Sequence, residues 1–290
     1  MQVKAIAWNL FHGRDFPPDP ALFTWRSRLL RATERNGTHV QVNRDLAAEF
    51  ARLLAAAEWD VALLQECPPR WHEALARACE AEAHMALTSR NSLGPLRALA
   101  ARLNPDLVAS GEGGSNLTLV RSAVSFARSA GISHSGRDGI VERRELAIHA
   151  GPPERRGMAF TRIGQGDDPP LCVANLHATG DRPELATGDV LRAAEAATAW
   201  AGDAPLIFGG DLNLRPAETP TVFDELRERF GLAAPTSPDA IDHLLVRGLE
   251  IVEPSHPWPP ERRELPEDGL ALRLSDHAPV AARFATPTPR

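Results

Sequence analysis

Residues 205–216 read PLIFGGDLNLRP. A short apolar run, Leu206 to Phe208, breaks at Gly209 and Gly210, then offers an acid and an amide two positions apart, Asp211 and Asn213. Alternation along an extended strand puts both side chains on one edge. The Gly pair is expected to let the backbone come close to a bound anion. A strand that ends this way is either making a turn or forming one wall of a site, and the rest of the chain decides which.

Short apolar runs with polar or glycine-rich ends recur at Val3 to Trp8, Val61 to Leu64, Leu117 to Val120, Leu171 to Leu176, Ile241 to Val246 and Pro279 to Phe284. Their length and β-branched content favour buried strands. Helical spacing marks 44–58, with Leu46, Phe50, Leu53, Leu54 and Ala57 on one face and Asn43 as N-cap. Residues 71–86 follow Pro68 and Pro69 and are read as a helix, as are 184–201 and 220–230. Strands and helices mixed without strict alternation predict an α/β sandwich of mixed sheets. Residues 12–43, 88–115 and the Pro-rich stretch 255–269 are read as loops, and long loops in a compact domain often surround a site. No repeat of 20–50 residues occurs.

A net charge of -6 argues against a general nucleic-acid coat but leaves room for a local basic cleft or a metal-filled site. Cys67, Cys79 and Cys172 show no C-x-x-C spacing, which suits a reducing compartment rather than a disulfide framework. The chain carries neither a signal-like start nor an apolar stretch long enough to span a bilayer, so a cytoplasmic protein without a membrane partner is expected.

Six strand-like runs carry polar groups at their ends: Asn9; Gln65 and Glu66; Asn175 and His177 in VANLHATG; Asp211 and Asn213; Asp242 inside AIDHLLV; and Asp276 and His277 in LSDHAPV. Taken singly, each is an ordinary turn residue, surface charge or structural histidine. Asp242 is the exception, because a carboxylate within an apolar run needs a partner. Together they suggest a cleft. Hard carboxylate and amide oxygens suit Mg²⁺, with Mn²⁺ as the alternative, and the chain lacks the clustered Cys and His of a zinc site. An Asp beside a His supplies an orienter and a general base.

The segments WN, LLQE, NLHATG, GGDLN, IDHLLV and SDHAPV, in this order between residues 8 and 280, resemble the endonuclease/exonuclease/phosphatase superfamily. That is the fold of deoxyribonuclease I, apurinic endonucleases, neutral sphingomyelinases and inositol-polyphosphate 5-phosphatases. The resemblance implies a four-layer sandwich of two mixed β-sheets flanked by helices, in one domain over 1–285 with a short tail at 286–290. It implies Glu66 as the main metal carboxylate, with Asn9 beside it and Asp276 as a further ligand. His277 takes the place of the general base, Asp242 orients its imidazole, and Asp211 and Asn213 position water and phosphate. His177 matches a histidine that binds phosphate or assists the leaving group. Asn116, in SNLTLVRS, and Arg156 are placed near the substrate phosphate. Proton transfer is left open between His277 and Asp211.

The implied activity is metal-dependent hydrolysis of a phosphoester, most directly by a phosphodiesterase or nuclease acting on nucleic acid. A phosphatase or phosphodiesterase acting on a small phosphorylated metabolite is the alternative, and a non-catalytic binding protein on the same fold is a third reading. The 12–43 segment lengthens the usual gap between the Asn and Glu motifs. Its Arg14, Arg26, Arg28, Arg31, Arg35 and His39 are read as a basic rim beside the cleft or as an exposed helix in an insertion.

Overall fold

In the computed structural model, residues 2–88, 94–112, 114–121, 139–149, 156–165 and 168–287 are described. Two mixed sheets lie face to face. The first holds β1 (Gln2–Asn9), β4 (Val61–Cys67), β5 (Ala81–Thr88), β6 (Gly114–Arg121), β12 (Glu250–Pro257) and β15 (Val280–Ala285), in the order β12-β15-β1-β4-β6-β5. The second holds β7 (Gly139–His149), β8 (Arg156–Gln165), β9 (Asp168–His177), β10 (Leu206–Asp211) and β11 (Asp242–Arg247), in the order β11-β10-β9-β8-β7. Each sheet has one parallel pair, β1 with β4 and β9 with β10, amid antiparallel neighbours. Two small hairpins, β2 (Glu34–Arg35) with β3 (Val40–Gln41) and β13 (Glu264–Glu267) with β14 (Leu270–Arg273), lie outside them.

Strand alternation builds the layers. On β1, Val3, Ala5 and Ala7 face the second sheet, while Ile6 and Trp8 pack outward. Their outward partners are α2 (Ala47–Ala56) and α3 (His72–Ala78), which follow the short α1 (Trp25–Leu30). On β10, Ile207 faces the first sheet, while Leu206 and Phe208 face α6 (Pro183–Ala201) and α7 (Pro220–Phe230). Between these helix pairs in sequence come α4 (Gly94–Leu103) and α5 (Pro105–Glu112). The four layers are helices, sheet, sheet and helices, as the resemblance implies.

Several local expectations change. Residues 71–86 are half helix and half strand: α3 stops at Ala78, Glu80 turns at φ 51°, and β5 continues the chain. Burial of alternate residues His84, Ala86 and Thr88 against β6 outweighs helical propensity there. Asn43 does not cap α2. Its amide instead donates to Ser27 O, Arg28 O and Asn104 Oδ1, tying the 12–43 segment to the start of α5. Stretch 255–269 includes the ends of β12 and all of β13, and Asp268 and Gly269, both at positive φ, make the two-residue hairpin turn. Residues 88–115 hold α4 and α5. Among the described residues no helix is long and apolar enough to cross a membrane.

The Gly pair serves a different purpose from the one expected. A Cβ at Gly209 would overlap His243 O on β11, and one at Gly210, at φ 122°, would overlap Leu176 O on β9 and crowd Gln65 Nε2. Neither glycine lines the cleft; both let β10 fit between its neighbours. Gly210→Ala should therefore lower unfolding free energy by at least about 3 kcal/mol. Gly37→Ala, which meets nothing within 4 Å, should change it by less than about 0.5 kcal/mol. Urea denaturation of the two variants checks the contrast.

Candidate active site

The inward-facing row of each strand is apolar along most of its length and turns polar at one end of the sandwich. After Val3, Ala5 and Ala7 on β1 comes Asn9; after Val61 and Leu63 on β4 comes Gln65. On β9 the row Leu171, Val173 continues to Asn175 and His177, and on β10 it continues through Gly209 to Asp211. Asp242 opens β11 opposite Asp211. Buried amide contacts join the sheets here. Asn9 Nδ2 donates to Asp211 Oδ2 at 2.9 Å, and Gln65 Nε2 donates to Asn175 Oδ1 at 2.7 Å.

Glu66 breaks the alternation. The ladder between β4 and β6 slips between Leu64 and Cys67, and Glu66 sits at φ 48°. A regular strand would aim position 66 at the helix layer; the bulge turns it into the cleft, as bulges beside sites commonly do. Asn213 also arrives by a turn rather than by alternation. β10 ends at Asp211, and Asn213, at φ 52°, donates its main-chain N–H to Asp211 Oδ1 at 3.1 Å and its side-chain amide to Ala178 O.

The resulting cleft, of about 610 Å³, is lined by Asn9, Glu66, Asp211, Asn213, Asp276, His277, His177 and Arg156, together with His12 and the Thr179 to Arg182 loop. His277 Nδ1 donates to Asp242 Oδ2 at 2.7 Å, leaving Nε2 towards Asp211 and Asp276, each 3.9 Å away. The main chain of His277 is fixed from three sides: its N–H donates to Ser275 Oγ, and its carbonyl accepts from Trp8 Nε1 and Arg263 Nη1. Ser275 Oγ in turn donates to Asn9 O.

Charge in the cleft is unbalanced. Burial, with Asp211 and Asp276 nearby, raises Glu66 to about 7. Burial and the charge of Asp242 also raise Asp211. Burial alone would depress His277, but Asp242, Asp211 and Asp276 overcome it and lift the imidazole to about 10. These three acids favour the protonated imidazole. His177 is held well below its ordinary value by burial and by Arg156 and His277. Arg156 Nη1 donates to His177 Nδ1 at 3.2 Å, which assigns the neutral ring's proton to Nε2, 3.5 Å from Asp211 Oδ2 and 3.8 Å from Glu66 Oε1.

Two expected residues do not line the cleft: Asp242 reaches it only through His277, and Asn116, fully buried, donates to Gly157 O and Asn175 O behind the site. The expected basic rim divides. Arg35 and His39 pair with Asp268 and Glu264 of the β13–β14 region, and Arg31 donates to Asn43 O. Arg14 stacks on Phe11, its guanidinium 3.7 Å from the ring centroid, and its charge reaches Glu66 and Asp276. His12 is the clearest addition: its Nε2 lies 3.2 Å from Glu66 Oε2. Its place three residues after Asn9 was the available signal, hidden by assigning residues from 12 onward to an insertion.

A cleft of acids, amides and paired histidines at the end of a two-sheet sandwich defines a phosphoester hydrolase. The chain matches the Endonuclease/Exonuclease/phosphatase family over residues 6–277 and belongs to it. No curated protein sequence matches. Among solved structures, an endonuclease/exonuclease/phosphatase family protein from Bacteroides thetaiotaomicron superposes with a TM-score of 0.62 at 13% identity, over 99% of this chain and 96% of that one. The human Nocturnin catalytic domain with bound sulfate gives 0.62 at 12% identity, over 99% and 95%. A mannosyl-6-phosphatase from the same Bacteroides species gives 0.60 at 13% identity, over 98% and 99%. At these identities the likeness is one of fold.

Removing the negative partner should bring the His277 imidazole down. In Asp242→Asn, an NMR titration of the ring nitrogens should place the midpoint at least about one unit below that of the wild type.

Proposed function

We propose that this protein is a divalent-metal-dependent phosphodiesterase in which Asp211 activates water and His277 acts as the cation opposite it. The observation that carries the reading is the convergence of both sheets' polar ends on one cleft that holds more carboxylate than countercharge. A hard divalent cation fits that excess. Two acidic groupings could hold it. Asp211, Asp242 and His277 lie close enough together, but His277 Nδ1 and Asp242 Oδ2 are already spent on one another. Glu66 and Asp276, with Asn9 alongside, are the better holders, and the raised Glu66 marks a carboxylate in need of a cation. When bound there, Mg²⁺ or Mn²⁺ would polarise a non-bridging phosphoryl oxygen and offset the charge developing on it.

The protein's own groups supply the rest. Asp211, made more basic by burial and by Asp242, takes the proton from the attacking water. The neutral His177 offers its Nε2–H, and Asn213 its second amide hydrogen, to phosphoryl oxygens. Arg156 orients His177 from behind. A monoanionic diester meets less repulsion in this acidic cleft than a dianionic monoester does, which favours the diester. The second reading, a phosphatase acting on a small phosphorylated molecule, draws on the cleft volume, which lies in the range of small-molecule sites.

With Mg²⁺ or Mn²⁺, bis-p-nitrophenyl phosphate or a nucleic acid should be hydrolysed and EDTA should stop it; turnover of a phosphomonoester with diesters untouched would favour the second reading. Glu66→Gln and Asp211→Asn should each lower kcat by about a thousandfold or more; retained rates in steady-state assays would place the chemistry elsewhere.

The pH profile has a definite sign. The rate rises with pH as Asp211 loses its proton and falls as His277 loses its own. Asp242→Asn should move the alkaline limb of kcat/KM to lower pH, and an unmoved limb would remove His277 from the cationic role.

A further inference from the structure

A second cavity, of about 310 Å³, adjoins the cleft and is lined by Phe11, Phe16, Phe23, Arg14, Asp15 and Asp106 among others. It is built by Phe11, the 12–43 segment and Asp106 of α5. Phe11 packs edge-on to Phe16, and Phe16 lies against Phe23, with ring centroids 5.6 and 5.3 Å apart. Phe16 and Phe23 remain 37% and 41% exposed, unusual for aromatic side chains with a core available. Asp15 lines the same cavity and is 1% exposed. Its Oδ2 accepts from Val42 N, while its Oδ1 has no hydrogen-bond partner among the described residues. An orphaned buried carboxylate oxygen is costly and calls for a donor. Asp106, beside it, already receives Gln41 Nε2 on Oδ2. Arg14 sits at the boundary, its charge felt by Glu66 and Asp276 on the cleft side and by Asp106 and Asp15 on the other. The two cavities are also adjacent in the chain: Asn9 and His12 line the cleft, Phe11 and Arg14 the second cavity, and Phe11 N donates to Asn9 Oδ1.

We propose that this cavity is a specificity subsite for the group esterified to the scissile phosphate, and that it takes a nucleobase carrying an exocyclic amine. The exposed faces of Phe16 and Phe23 offer a stacking platform for a planar ring. Burial raises the carboxyls of Asp15 and Asp106, and a donor edge seated in the cavity favours their ionised, accepting form; an aspartate that accepts from a cytosine amine is the model contact. Arg14 joins the base site to the phosphate site. The substrate class is then an amino-bearing nucleotide diester, a reading that rests on the phosphodiesterase proposal above for its chemistry but not for its binding.

Calorimetric titration with free cytidine and uridine, which carry no phosphate to hydrolyse, tests the subsite apart from catalysis. Cytidine should bind the wild type about tenfold more tightly than uridine. Asp15→Asn, which keeps the shape but adds a donor, should erase most of that difference, and Phe23→Ala, at an exposed position, should weaken both nucleosides. Equal affinity for the two nucleosides, no binding, or a preference unchanged in Asp15→Asn overturns the subsite, whatever the protein hydrolyses. If diesters are not hydrolysed but the cytidine preference and its loss are observed, the subsite stands and the catalytic reading falls. Thermal melts of both variants confirm that they are folded.

Discussion

The site depends on the hydrogen bond from Asn9 to Asp211 across the two sheets. Inward rows of apolar side chains hold a sandwich together, yet a cleft requires that these rows stop being apolar while the sheets stay in register. Asn9 and Asp211 meet that requirement at the edge of the cleft, and Gln65 and Asn175 meet it one layer deeper, each amide matched to an acceptor on the opposite sheet. The neighbouring polar groups of the cleft are placed relative to this seam: His177 and Asp242 flank Asp211 on its own sheet, and Ser275 hangs His277 from the carbonyl of Asn9. Loss of the seam would leave buried polar groups unpaired on both sides, a heavier penalty than the loss of a surface contact.

The electrostatics follow from the same geometry. Packing carboxylates at the buried end of the interface makes Glu66 and Asp211 harder to ionise, and the cations that answer the acids include the His277 imidazole, Arg14 and Arg263. The two histidines diverge because their neighbours differ: His277 looks at acids and holds its proton, while His177 backs onto a guanidinium and gives its proton up. One sandwich end thus favours the protonated form of one imidazole and the neutral form of the other.

The sequence made much of this legible, and for a physical reason. Asn9, Asn175, His177, Asp211 and Asp242 are extensions of strand alternation, so a period of two locates them. Glu66 and Asn213 were legible only through their motifs. One reaches the cleft by a bulge and the other by a left-handed turn, and neither follows from periodicity. Asn116 shows the opposite failure: it has the right residue type at a strand position, but its partners are main-chain carbonyls behind the site. His12 was obscured by its segment, and β5 was lost because AEAHMALT reads equally well as helix until β6 is there to pair with it. Gly209 and Gly210 were read as room for a ligand, whereas the room they make is for neighbouring strands.

The antiparallel pairing of β1 with β15 brings the first and last strands together, and the contacts that fix His277 reach back more than 260 positions, to Trp8 and Asn9. Such closure carries the largest loop entropy in the chain, so it is expected among the slowest events of folding. Either sheet formed alone holds only half of the cleft's acids. A chain in which β15 has not yet paired with β1 lacks the placement of His277 beside Asp242. The cleft is therefore a property of the completed fold rather than of either sheet.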